Sequence, residues 1–354
     1  MNPQGVKGVG IVEYISRAHR HRWWDAKLSG MSHLAPEVRT ILCLILALLA
    51  VANAIPSVLK YFNPDRDFQK LSHQLRTWLV IAGIVSFFVA ISPTATVVFF
   101  GFVSYLALKE FFSMTPTRRA DRRVLFWAYL AVIVQYFLVG REWFGMFLVF
   151  IPVIMFAWLP TRMWLIGHTD GFLRAAGSMH WGLMVTVFCI SHAAFLMKFK
   201  VSSAPLIEPH YPSLVGQAFP GPGLLVFLLL TTEMNDIFEK FWGKALGVHR
   251  LAPTINRRRT DAGLIGGAMS TILLALIIGP LLTLMDIPRA LIAGLLIAVA
   301  GFAGDLCMSA LKRDLKIQNF GATLPGHGGV LDRADSLVFT APLFFHFVHY
   351  YYGS

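Results

Sequence analysis

The sequence predicts an all-α, polytopic membrane protein with nine or ten membrane-spanning helices. Three observations carry that prediction. The 354 residues are 56% hydrophobic and only 14% charged, where a soluble domain carries about a quarter charged residues. The mean hydropathy is +0.62. Apolar runs approaching the roughly twenty residues that a helix needs to cross a bilayer recur along the whole chain. Phe (29) and Met (13) are abundant, as expected where side chains face lipid. A net charge of +12 would suit nucleic acid, but membrane proteins gather Lys and Arg in cytoplasmic loops, and that bias accounts for it. No nucleic-acid partner is expected. Cys43, Cys189 and Cys307 each lie inside an apolar segment without CxxC spacing, so they read as small core residues.

Taken in order, residues 1–40 form a polar amino-terminal segment without a cleavable signal pattern. Candidate spans follow near 41–59, 75–91, 94–112, 124–140, 143–160, 179–197, 214–232, 262–283, 287–304 and 336–351. Pro56 in the first run, and Pro220 and Pro222 in the seventh, mark those two as broken or shifted. Residues 41–232 read as membrane helices serving as a lipid-binding or dimer scaffold, and 233–354 as the region that carries chemistry. No internal repeat or separately folding soluble domain is visible.

The loops orient the spans. Basic residues cluster in 109–123, in 240–259 and in 312–333, whereas the turns near 140–142 and 284–289 carry one Arg each. Threading the spans puts all three basic loops on one side, the cytoplasm by the positive-inside rule. The same count puts residues 1–40 outside although they carry Lys7, Arg17, Arg20, Arg22, Lys27 and Arg39, so the side of the amino terminus stays open.

Polar residues concentrate in two places. In GFAGDLCMSALKRD, Asp305, Ser309 and Lys312 stand at i, i+4 and i+7 and share a helix face, a combination suited to a cation and a phosphate. In LPGHGGVLDRAD, Gly326, Gly328 and Gly329 flank His327, where bare backbone can approach a phosphate and offer its N–H groups. Asp332 and Asp335 follow at i and i+3, close enough to repel unless a cation lies between them. Oxygen-only ligands suit Mg²⁺, with or without a second cation, and Asp305, Asp332 and Asp335 are expected to converge on one such site. Upstream, Asp236 is an acid at the hydrocarbon edge, which needs a partner, and Arg257–Arg259 serve equally as an inside anchor or as phosphate ligands. Ordinary helix ends also carry Asp, Ser and Lys, and a Gly-rich loop can be only a turn; it is the succession of these features that favours function.

These residues resemble the phosphatidate cytidylyltransferase (CDP-diacylglycerol synthase) family. Ser309, Leu311, Lys312-Arg313, Gly321, Leu324-Pro325, His327-Gly328-Gly329, Val330, Asp332-Arg333 and Asp335 fall on its carboxy-terminal signature without a gap. The stretch from Asn235-Asp236 through Gly243-Lys244 and Leu251-Ala252-Pro253 resembles its upstream elements, so the likeness covers about the last 120 residues. The chain departs from the pattern at Gln318-Asn319, where the family has Lys-Asp. It departs also at Ala334, at Asn256–Thr260 in place of Ser-Pro-Lys-Lys-Thr, at Ala262, and at Glu233 and Glu239-Lys240.

The resemblance implies a bacterial inner-membrane enzyme, expected as a homodimer, that joins CTP to phosphatidic acid and releases pyrophosphate at the cytoplasmic face. It implies catalytic roles for Asp305, Ser309, Lys312, Asp332 and Asp335, with metal at Asp305, Asp332 and Asp335. Substrate contacts fall to Asp236, Arg258, Arg259, Arg313, Gly326, His327, Gly328, Gly329 and Arg333. Two alternatives remain: transfer to another lipid phosphate, polyprenyl or ether-linked, and a catalytically impaired scaffold or transporter.

Overall fold

The computed structural model describes residues 34–62, 68–115, 122–167, 170–199, 220–323 and 328–353, without the side chains of Lys70, Arg257 and Arg258. Residues 1–33 of the polar segment, Arg118 and Arg119 of the first basic loop, the Arg258 side chain, Gly326 and His327 lie outside the described residues.

Helix α1 (Pro36–Ala52) starts on a proline, whose missing N–H costs nothing in the first turn. It stops short of Pro56, and α2 (Ile55–Phe62) resumes there, so the first span is broken as expected. Helices α3 (Gln69–Ile91) and α4 (Pro93–Met114) are joined at Ser92, whose hydroxyl accepts the Ala95 N–H at 3.0 Å while Pro93 opens the new helix. Helix α5 (Arg122–Gly140) leads to α6 (Phe144–Trp164) and α7 (Phe172–Leu196). Each of the last two contains a π-helical turn, Phe150–Met155 and Met184–Cys189. Pro152 lies inside the first and lacks the N–H that an α-helical ladder would use.

Helix α8 (Gly221–Leu246) is shifted from the expected 214–232, in keeping with its prolines. Pro222 sits in the first turn, so Pro220 and Pro222 start the helix, which then runs well beyond residue 232. A two-stranded antiparallel ribbon follows, β1 (Arg250–Ala252) and β2 (Asn256–Thr260), paired Arg250 to Thr260 and Ala252 to Asn256. Thr260 caps α9 (Asp261–Leu282) by accepting the Gly263 N–H at 3.1 Å. Asp286 caps α10 (Ile287–Asp314) by accepting the Arg289 N–H at 3.3 Å. Lys312 and Arg313 occupy the last turn of α10, where the helix dipole favours cations. A loop then leads into α11 (Leu337–Tyr352).

The protein is all-α and polytopic apart from that ribbon. Each of the ten expected segments contains a helix, and eight helices among the described residues are long and apolar enough to cross a membrane. The other two are α8, whose second half is polar, and α11, with 16 residues. Helices α8, α9, α10 and α11 pack successively on one another, while α4 packs on α3, α5 and α7. By contrast α1, α2 and α3 expose large apolar side chains such as Leu48, Val51, Phe62 and Phe87, as lipid-facing helices do.

Candidate active site

Past its apolar stretch, α8 carries Asn235, Asp236 and Glu239. Asn235 and Glu239 are one turn apart, and Asn235 Nδ2 donates to Glu239 Oε1 at 2.6 Å. Thr271 on α9 donates to Asn235 Oδ1 at 2.9 Å and fixes the amide. Helix α9 comes this close because Gly267 has no side chain: a Cβ there would stand 2.5 Å from Glu239 Cγ.

Strand β2 delivers Arg259, which is buried and bonded through all three nitrogens. Its Nε donates to Asp305 Oδ2 at 2.8 Å, one terminal nitrogen makes a short bond to Glu239 Oε2, and the other reaches Asp236 Oδ1 at 3.5 Å. Burial works against this charge, but Asp305, Glu239 and Asp236 outweigh it and hold the guanidinium protonated above its ordinary range. Asp236 Oδ1 also accepts the Ser336 hydroxyl at 3.0 Å, tying α8 to the start of α11.

The predicted face of α10 is present. Asn256 of β2 donates from Nδ2 to both Asp305 Oδ2 and Ser309 Oγ, each at 3.2 Å. One turn on, Lys312 Nζ stands 2.8 Å from Asp332 Oδ1, 3.8 Å from Asp335 Oδ2 and 5.4 Å from the centre of the Phe320 ring. Asp332 is 4% exposed, and its second oxygen accepts the N–H groups of Phe320 and Gly329 at 2.9 and 2.8 Å. Asp335 accepts the Ser336 N–H at 2.9 Å. Burial pushes the Asp335 carboxyl up to about 7; Asp236 and Asp305 push the same way, and Lys312 and Arg333 only partly offset them.

Charge does not balance here. Asp236, Glu239, Asp305, Asp332 and Asp335 share only Arg259 and Lys312 as ion-pair partners among the described residues. Among the described residues the acids thus outnumber their ion-pair partners at the edge of an apolar bundle. A profile of the cytidylyltransferase family matches residues 72–351 of the chain.

The chain belongs to the cytidylyltransferase family.

Its relatives divide by coverage. It is 38% identical over 309 residues to YnbB of Escherichia coli K12, a protein described as uncharacterized, covering 87% of this chain and 97% of that one. It is 37% identical over 131 residues to the phosphatidate cytidylyltransferase of Chlamydia muridarum, covering 35% of this chain and 43% of the relative. With the phosphatidate cytidylyltransferase of Staphylococcus epidermidis the figures are 35% over 120 residues, 34% and 46%. The chain thus aligns with less than half the length of these named enzymes.

Several site residues of this cytidylyltransferase-family chain stand where the sequence suggests, and others do not. Asp236, Arg259, Asp305, Ser309, Lys312, Asp332 and Asp335 are joined by the contacts above. Among the described residues, no group of three or more His, Cys, Asp or Glu stands close enough to hold a metal ion. The Asp332 oxygens face Lys312 and two backbone N–H groups. Arg313 Nε donates to the Ile255 carbonyl at 3.2 Å, so it braces the ribbon. The Arg333 guanidinium lies 5.6 Å from the centre of the Trp78 ring on α3.

In the described part of the glycine loop, backbone N–H groups have carboxylate partners. Gly328 has φ +83°, and a Cβ there would meet Asp332 Oδ2 at 2.6 Å. The Gly329 N–H is bonded to Asp332, while the Val330 and Leu331 N–H groups donate to Glu110 Oε1 and Oε2 at 3.0 and 2.9 Å. These N–H groups hold carboxylates of the protein, and a phosphate would have to displace one. Glu110, on α4, is the residue that sequence reasoning missed. The signal was available: an acid in the apolar run ALKEFF is as costly at the hydrocarbon edge as Asp236.

Proposed function

We propose that the protein transfers the cytidylyl group of CTP to a lipid phosphate, with phosphatidic acid as acceptor, giving CDP-diacylglycerol and pyrophosphate. The observation that carries this reading is the acid-rich network of Arg259 and Lys312 at the rim of a lipid-embedded bundle. Membership of the family and the names of the shorter-matching relatives support it. A phosphate oxygen of the lipid attacks the α-phosphorus of CTP, and the bond from that phosphorus to the oxygen bridging to the β-phosphorus breaks. Both reactants are anions, so neutralising charge is the main task.

Arg259 is committed to three carboxylates and therefore orients acids. Lys312, with one close partner and one at 3.8 Å, is the cation placed to turn toward a phosphate. Asp305 and Asp335, beside Arg259 and Lys312, are the carboxylates that would offer oxygens to a cation completed by substrate phosphates. That chemistry fits Mg²⁺, with or without a second cation, in the usual manner of one or two carboxylates completed by substrate phosphates. When bound, Mg²⁺ would neutralise phosphate oxygens and the departing pyrophosphate. The basic loops support a site at the cytoplasmic face of the membrane, by the positive-inside bias.

A second reading keeps the reaction and changes the acceptor to a polyprenyl or ether-linked lipid phosphate. It is favoured by one fact: the alignments with phosphatidate cytidylyltransferases cover about a third of the chain. The test is purified protein with Mg²⁺, CTP labelled in the cytidine, and a panel of lipid phosphates. Label passing into a lipid-soluble product with phosphatidic acid is the expected result. Product with another acceptor alone moves the assignment to the second reading, and no product with any acceptor overturns both.

A further inference from the structure

We propose that Glu110 is a positioning residue for this reaction: from α4 it holds the loop bearing Asp332, and through Asp332 it sets where Lys312 stands. The proposal rests on the transfer reading above for its consequence, and on geometry alone for the anchor. Glu110 is 8% exposed near the end of a membrane helix, where an unpaired carboxylate would be costly. It is not unpaired. Oε1 accepts the Thr323 hydroxyl at 2.6 Å and the Val330 N–H at 3.0 Å, and Oε2 accepts the Leu331 N–H at 2.9 Å. Three donors converge on one side chain, from both arms of the loop.

The loop is shaped around this carboxylate. A Cβ on Gly321 would meet Glu110 Oε1 at 2.8 Å, and one on Gly329 would collide with Oε2. Beside it, Phe111 stacks on Phe320 with ring centres 6.5 Å apart. Phe320 and Gly329 are the two residues whose N–H groups bind Asp332 Oδ2, while the other Asp332 oxygen holds Lys312. The chain of contacts is therefore continuous: Glu110 to Val330 and Leu331, the same turn to Asp332, and Asp332 to Lys312. Only an acceptor with no hydrogens suits the position. Glutamine would turn an NH₂ group toward a backbone N–H.

The experiment uses the full chain in lipid nanodiscs and two readouts, amide hydrogen exchange and cytidylyl transfer from CTP to phosphatidic acid. Glu110→Gln is expected to speed exchange across 328–332 by at least about 100-fold, leaving α8 and α10 unchanged. It is also expected to lower turnover by at least about 100-fold, or roughly 2.7 kcal/mol. Thr323→Val removes a single donor and is expected to speed exchange there by about tenfold, which keeps the test open if the stronger variant does not fold. Gly329→Ala alone should cost most of the turnover, but added to Glu110→Ala it should cost less than about threefold more, because the collision is gone. Unchanged exchange in Glu110→Gln, or effects of Glu110→Ala and Gly329→Ala that multiply, overturns the proposal. If the wild-type protein transfers to no lipid phosphate at all, the functional reading fails, and exchange at 328–332 alone decides whether Glu110 anchors the loop.

Discussion

Arg259 makes one bond with each of its three nitrogens, and a lysine cannot copy that arrangement. Arg259→Lys is expected to keep the charge, lose the simultaneous grip on Asp236, Glu239 and Asp305, and lower turnover by about 100-fold. The check is CTP turnover at saturating Mg²⁺. Asp332 invites a sharper test. Were it a plain metal ligand, Asp332→Asn would stop turnover and leave stability alone. Its contacts predict a double effect, because removing one partner of a buried pair leaves Lys312 unbalanced. A loss of about 3 kcal/mol of stability is expected, read as a lower thermal midpoint, together with loss of turnover. Full turnover loss at an unchanged midpoint would return Asp332 to the metal. Gln318 and Asn319, by contrast, are exposed and take no part in the ion pairs above. Restoring Lys and Asp there together is expected to change the rate by less than about tenfold, or 1.4 kcal/mol.

In the described parts of the loop between α10 and α11, carboxylates bind backbone, so Gly321, Gly328 and Gly329 are constrained by space and Gly328 also by φ. Gly328→Ala meets both constraints, φ +83° and the approach to Asp332. It is expected to cost about 1–2 kcal/mol of local backbone strain before the clash is counted. Faster amide exchange at 328–332 and lower turnover would report it. Much of the element scale was legible in the sequence. Apolar runs marked the helices, Pro56 marked a break, and the spacing of Asp305, Ser309 and Lys312 put them on one face. What was not legible depends on distant partners. Pro220 and Pro222 could open a helix or interrupt one, and only the packing of α8 decides. The π-turns in α6 and α7 have no periodic signature. Asp332 and Asp335 looked like a cation pair because neither Lys312 nor the N–H groups of Phe320 and Gly329 can be placed from spacing. The partners of Glu110 were hidden by their distance along the chain.

At the scale of the whole molecule, the contacts bring the ends of α4, α8 and α10 to one place. Glu110 touches the loop after α10, and Arg259 joins α8 to α10. The three basic loops must then lie on one side of the membrane. Single cysteines replacing Arg122, Lys244 and Lys316, in a background freed of Cys43, Cys189 and Cys307, are expected to react together with a membrane-impermeant reagent. Arg141→Cys is expected to react from the opposite side. Any of the first three grouping with Arg141 would break the span order.

The bond from Glu110 to Leu331 joins residues 221 positions apart, and that separation has a consequence in time. A ribosome adding about 5–20 residues per second needs roughly 10–45 s to travel that distance. For that interval α4 is in or near the bilayer with an acid whose three donors have not yet been synthesised. Glu110 must wait hydrated at the interface or shielded by the insertion machinery. Chains stalled before residue 320 should therefore hold α4 less firmly than finished ones, and a pull on the nascent chain should appear as the last loop emerges. Force-sensing arrest peptides placed after residues 314 and 353 would time it: the site closes only once the loop after α10 has been made.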